Sequence, residues 1–170
     1  MDPAPPGRSG AHESSARDFD FLLCRWRIAN RWRSPAGEWF EFESTARVTD
    51  HLDGLVLVDE YEILEFPTRG RVLAFNLRAF DGTTGDWQLV WLSTYSPPDM
   101  RPVVGRWTSP AMGEFFQSLE APSGRPAQLR FRYTRPTDDT VHWEQAWSFD
   151  GGTAWVVDWT MDWTRETGHI

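Results

Sequence analysis

A chain of 170 residues has single-domain length and enough sequence to bury a substantial core. Its formal net charge of -8 argues against nucleic acid and anionic membrane surfaces as partners, since both reward a basic face. All 17 basic residues are Arg, which leaves no lysine amine for Schiff-base chemistry, and 11 Trp and 11 Phe against 3 Tyr supply bulky aromatic surface.

The N-terminal "MDPAPPGRSGAHESSAR" carries Pro, Gly and Ser where a signal peptide needs an apolar stretch. Residues 1–17 are therefore expected as a disordered tail, residues 166–170 as a C-terminal tail, and the protein as cytoplasmic. No apolar run reaches the length of a membrane span. Cys24 is the only cysteine, so an internal disulfide or a cysteine metal cluster cannot form.

After a helical turn at "DFDFLL", the stretch "CRWRIANRWR" alternates Cys24, Trp26, Ile28, Asn30 and Trp32 with Arg25, Arg27, Ala29, Arg31 and Arg33. That is a strand with one core face and one solvated face. Further strands are expected near 38–48, 55–66, 71–80, 86–95, 102–107 and 113–119, separated by turns such as "DHLDG", "PTRG", "DGTTGD" and "SPPD". "QLRFRYT" continues the alternation, and across the "RPTDD" turn Arg130 can meet Glu144.

The last segment, "WEQAWSFDGGTAWVVDWTMDW", spaces Trp143, Trp147, Trp155, Trp159 and Trp163 in steps of four, interrupted at Gly151. A helix would carry Asp158 and Asp162 onto the tryptophan face through the i+3 relation, whereas period two puts Gln145, Phe149, Val157 and Met161 there. Two strands therefore fit and a helix does not. A three-residue Asp150-Gly151-Gly152 turn predicts Phe149 opposite Thr153, Trp147 opposite Trp155, and Trp143 opposite Trp159.

About ten twisted antiparallel strands tend to close on themselves, so the expected fold is all-β, a single closed antiparallel barrel over residues 18–165. A barrel of that width leaves an interior that side chains alone fill with difficulty. The alternative is an interior packed solid with Trp and Phe. Inward-facing Asn30, Tyr95, Gln117, Tyr133 and Gln145 favour a cavity, because buried polar groups need partners.

The segments "FDFLLCRW", "DGLVLVDEY", "LRAFD", "PVVGRW", "WEQAWSFDGG" and "WVVDWTMDWTR" resemble an uncharacterised bacterial family of lipocalin-like, calycin-type β-barrels, over nearly all of residues 18–165. Trp26 matches the tryptophan of the Gly-x-Trp signature of such barrels, with Cys24 in the place of the glycine. The resemblance implies the barrel and carries no general chemistry. Fold relatives include carriers of small apolar molecules, haem-binding nitrobindin-like barrels, and barrels that close rings in biosynthetic pathways, and fold alone does not choose between them.

The residues narrow the choice. His12 and His169 fall in the tails, His51 in a turn, and His142 on the face opposite the tryptophans, so no axial haem ligand is expected, and no pair has metal spacing. No cofactor and no metal are expected. Of Asp59 and Glu60 one must face inward, and alternation with Leu57, Tyr61 and Ile63 favours Asp59. It is either a general acid or base with a raised pKa, or the partner of Arg78 in a structural ion pair; Asp59, Glu60 and Arg78 are the catalytic candidates. Cys24 lacks a neighbouring base and reads as a small buried hydrophobe.

The expected function is binding of a small, largely apolar or planar molecule, with Trp26, Asn30, Trp32, Trp91, Tyr95, Tyr133, Trp143, Gln145, Trp147 and Trp159 as the binding residues. The alternative is a cofactor-free cyclase or isomerase of a polyketide- or terpenoid-like substrate in the same cavity, working chiefly by positioning. Oligomeric state is not legible.

Overall fold

The computed structural model describes residues 12–121 and 123–167. Ten strands follow a 3-10 turn at Asp20–Leu22: β1 (Arg25–Arg33), β2 (Trp39–His51), β3 (Val56–Phe66), β4 (Gly70–Asp81), β5 (Asp86–Ser93), β6 (Val103–Ser109), β7 (Met112–Glu120), β8 (Pro126–Thr137), β9 (Thr140–Ser148) and β10 (Val156–Arg165). Each pairs antiparallel with its chain neighbour, and β1 also pairs with β10, which closes the barrel. Among the described residues no helix is long and apolar enough to cross a membrane.

Period two governs the wall. Along β1 the residues alternate strictly between exposed and buried, with Trp26, Ile28, Asn30 and Trp32 inside and the arginines outside. Outward arginines meet carboxylates on neighbouring strands, as in Arg71 with Glu62 (2.6 Å) and Arg130 with Glu144 (2.8 Å).

The two barrel ends differ. At one end the segment before β1 folds across the opening. Phe19 is fully buried there, with its ring 4.9 Å from Trp87, 5.3 Å from Trp107, 5.7 Å from Phe115 and 5.3 Å from Tyr133. Leu22 accepts a hydrogen bond from Trp26 Nε1 through its carbonyl (2.8 Å), which ties the turn to β1. The tail expected over residues 1–17 lies outside the described residues as far as residue 11. Beyond it, Trp87 Nε1 donates to the Ser15 carbonyl (3.2 Å), and Asp18 accepts from Ser14 Oγ (2.9 Å) and Ser15 N (2.8 Å). Of the expected C-terminal tail, Glu166 donates its N–H to the Arg25 carbonyl (3.0 Å), and residues 168–170 lie outside the described residues.

β5 and β6 pair only over Trp87–Leu89 with Val103–Gly105, on the Phe19 side, and leave the wall unpaired toward the other end. At Gly105 the β6 backbone lies close against β7. A Cβ there would overlap the Glu114 carbonyl oxygen and stand 2.6 Å from Phe115 Cα. Because backbone atoms cannot step aside, Gly105→Ala is expected to cost about 3 kcal/mol, the upper range for overpacking, seen as a lower midpoint in urea unfolding. An unchanged midpoint would show that the two strands can separate freely.

The β9–β10 register departs from the expectation. Trp147 stands opposite Val156, Gln145 opposite Trp159, and Trp143 opposite Met161, with a bulge between Val157 and Trp159. The reason is the Asp150 carboxylate. Its Oδ1 accepts from Ser148 Oγ (2.8 Å), Thr153 N (3.1 Å) and Ala154 N (2.9 Å), which holds the chain from Phe149 to Trp155 as a wide loop. Below the bulge the register is displaced by two residues, so Trp143 and Trp159 still share the inner face, their rings 6.2 Å apart. Above it the displacement is one residue. Trp155 then packs outside, 4.6 Å from the Arg130 guanidinium and 6.0 Å from Phe116, with Ala146 and Ser148 buried on the same outer face of β9.

Candidate functional site

Inward-facing residues of β3 to β10 surround a cavity of about 190 Å³. Its aromatic walls are Tyr61, Trp91, Phe131, Trp143 and Trp159, and Leu89, Val103, Leu129 and Met161 complete the apolar lining. Asp99 and Arg101, both exposed and paired at 2.7 Å, also line it. The cavity therefore reaches the surface where the segment between β5 and β6 leaves the wall unpaired. Gln117 Nε2 donates to the Arg101 carbonyl (3.0 Å) and pins that rim.

The inner end is polar. Asp59 faces inward and is fully buried, while Glu60 is exposed, so alternation chose correctly between them. Arg78, also fully buried, donates to Asp59 Oδ1 and to Tyr133 Oη (3.2 Å). The Asn76 amide fits with its oxygen accepting from Arg78 Nη2 (3.0 Å) and its nitrogen donating to the Val90 carbonyl (3.3 Å). Burial raises the Asp59 carboxyl above its ordinary value, with Arg78 partly offsetting it. Burial also raises the Tyr61 and Tyr133 phenols, so both are protonated donors at neutral pH. Asp59 and Arg78 stand behind Tyr61, Asn76 and Tyr133 and do not themselves line the cavity.

Asp158, read from period two as an outward residue, is the extra residue of the β10 bulge, and its carboxylate turns inward. It accepts from Gln145 Nε2 (3.0 Å) and Trp147 Nε1 (2.8 Å). Burial raises its pKa, opposed by those two hydrogen bonds.

Of the expected binding residues, Trp91, Tyr133, Trp143, Gln145 and Trp159 line the cavity. The others stand around it. Trp26 is at the closed end, 5.9 Å from Trp163. Trp32 and Tyr95 pack on Phe66 at the open end, 5.0 and 4.9 Å from its ring. Asn30 holds Trp159 in place, accepting from its Nε1 (3.1 Å) while donating to Ser44 Oγ (2.8 Å). Trp147 is fastened to Asp158. Tyr61 and Asn76 were not among the expected binding residues, yet each lies two positions from an inward charge, Asp59 or Arg78, and period two would have found them. Cys24 is not a buried hydrophobe: it precedes β1, is half-buried, and accepts from Arg165 Nη1 (2.9 Å). His12, His51 and His142 all lie outside the cavity lining.

Neither a family profile nor a curated protein sequence matches the chain. Among solved structures, the S-type phycobiliprotein lyase CPES from Guillardia theta superposes with a TM-score of 0.63 at 9% identity, covering 89% of this chain and 92% of that one. Rv2717c from M. tuberculosis superposes with a TM-score of 0.59 at 14% identity, covering 89% and 97%. At these identities the likeness is one of fold. In fold, the chain is a closed, lipocalin-like barrel of ten antiparallel strands.

Proposed function

We propose that the chain binds a small, planar, largely apolar molecule of one or two rings inside the barrel, admitted past Asp99 and Arg101. The reading rests on the aromatic-walled cavity of about 190 Å³ that reaches the surface at one end. That volume is below the ~300–1,000 Å³ of sites for drug-sized ligands. It is somewhat larger than the ~150 Å³ apolar cavity that takes up benzene. Aromatic walls favour an aromatic guest through stacked and edge-to-face contacts. A cofactor-free cyclase or isomerase in the same cavity would have to work by shape, because Asp59 is engaged by Arg78 and Glu60 faces out.

Titration with a panel of one- and two-ring aromatics, followed by tryptophan fluorescence, is expected to give saturable quenching. Trp91→Ala, which removes one aromatic wall, is expected to weaken binding about tenfold, the upper range for one aromatic contact. Trp39→Ala, on the outer surface, is expected to leave it unchanged. Absence of saturation for every member of the panel would overturn the reading.

A further inference from the structure

We propose that the ligand is polarised along its length: an aromatic molecule with a hydrogen-bond acceptor at its inner end, met by Tyr133 and Asn76, and a donor toward the mouth, met by the side-chain oxygen of Gln145. The inference rests on binding in the barrel cavity and goes on to specify the chemistry of the guest.

It follows from which polar atoms are already committed. Tyr133 Oη accepts from Arg78, which leaves its own proton to donate. Asn76 uses its oxygen on Arg78 and one N–H on the Val90 carbonyl, which leaves its second N–H. Both side chains line the cavity, so its inner end presents donors. Gln145 is committed in the opposite sense. One of its amide N–H groups goes to Asp158, itself fixed by Trp147 Nε1; because a carboxylate only accepts, this orients the amide and leaves Oε1 as its acceptor beside a second N–H.

The spacing between the two ends is set by the sheet. Tyr133 pairs with Trp143, and Gln145 with Phe131, one two-residue step nearer the open end. Two residues along a strand span about 7 Å, comparable to a single ring with substituents at its two para positions. Trp143 stands on the same inward face at the level of Tyr133, where it can stack on the inner part of the ring. An ion pair behind the donors, with Arg78 bridging Tyr133 and Asn76, holds them in one orientation before a ligand arrives.

Four probes of nearly one shape separate the contributions when binding is measured by titration calorimetry. 4-Hydroxyacetophenone carries both groups, 4-methylacetophenone lacks the donor, 4-ethylphenol lacks the acceptor, and 4-ethyltoluene lacks both. The first is expected to bind about tenfold more tightly than the second or third and on the order of a hundredfold more tightly than the fourth. Tyr133→Phe is expected to weaken the two ketones about tenfold while leaving 4-ethylphenol unchanged, which also reports an intact cavity. Gln145→Leu is expected to level 4-hydroxy- and 4-methylacetophenone; on a half-exposed side chain, it keeps the test decisive if Tyr133→Phe does not fold. Equal affinity for all four probes would overturn the polarity and leave aromatic binding standing. Absence of binding by any of them to the unaltered protein would overturn both.

Discussion

Arg78→Met is expected to lower the free energy of unfolding by about 3–5 kcal/mol at neutral pH, because it leaves the fully buried Asp59 carboxylate without its counter-charge. Against the ~5–15 kcal/mol that holds most domains together, this is a large fraction. The pH dependence identifies the cause. Burial already raises the Asp59 pKa, and losing Arg78 raises it further. A carboxyl whose folded pKa lies above its unfolded value contributes stability at low pH and loses it as pH rises through the folded value. The deficit of Arg78→Met should therefore shrink as pH falls and Asp59 takes up a proton.

The double variant Asp59→Leu with Arg78→Met should recover most of the loss. The pair is imperfectly satisfied, since Asp59 Oδ2 and Arg78 Nε lack hydrogen-bond partners among the described residues, and an apolar pair of similar volume often equals or exceeds such an arrangement. Denaturant unfolding of the two singles and the double, from neutral to acid pH, measures this coupling. A single-variant cost under about 1 kcal/mol at neutral pH, within the range of an exposed pair, would show that the interior is wet enough to solvate Asp59.

Phe19→Ala is expected to cost about 3–5 kcal/mol, the range for truncating a buried Phe to Ala. Phe19 is fully buried and lies against Trp87, Trp107, Phe115 and Tyr133, with the Arg78 guanidinium 4.9 Å above its ring. Trp87, Trp107, Phe115 and Tyr133 are anchored on barrel strands and could fill the void only by leaving the wall. Thermal unfolding should show a lower midpoint, and removal of a ring that backs Tyr133 and Arg78 should also weaken binding of 4-hydroxyacetophenone more than that of 4-ethyltoluene. A near-normal midpoint would mean that the plug contributes little and that the strands hold closure alone.

The same residues show how far the linear order of side chains reaches. All ten strands were legible because each buries one face, and a half-buried strand writes that fact into the chain at period two: Trp26, Ile28, Asn30 and Trp32 inside, four arginines outside. Closure followed from strand number, and the inward position of Asp59 from its alternation with Leu57 and Tyr61. Alternation reports which face a residue occupies and is silent on height along the barrel axis. Trp26 and Trp91 look alike in sequence, yet one lies at the closed end and the other beside the cavity.

The β9–β10 hairpin marks the boundary most clearly. Its tryptophans announced two strands, and the side-chain alternation held as far as the bulge. The pairing depended on a carboxylate gathering backbone N–H groups across a loop, and on one extra residue absorbed at Asp158. Neither has a periodic signature, because each is a local hydrogen-bonding choice that competes with the ladder. The amino-acid order by itself determined the strands, their inward faces and the closed aromatic barrel, since burial of apolar surface acts residue by residue. Only the tertiary structure decided the register of the last hairpin, the inward turn of Asp158 and the position of the cavity, since these depend on which distant groups satisfy one another once the barrel has closed.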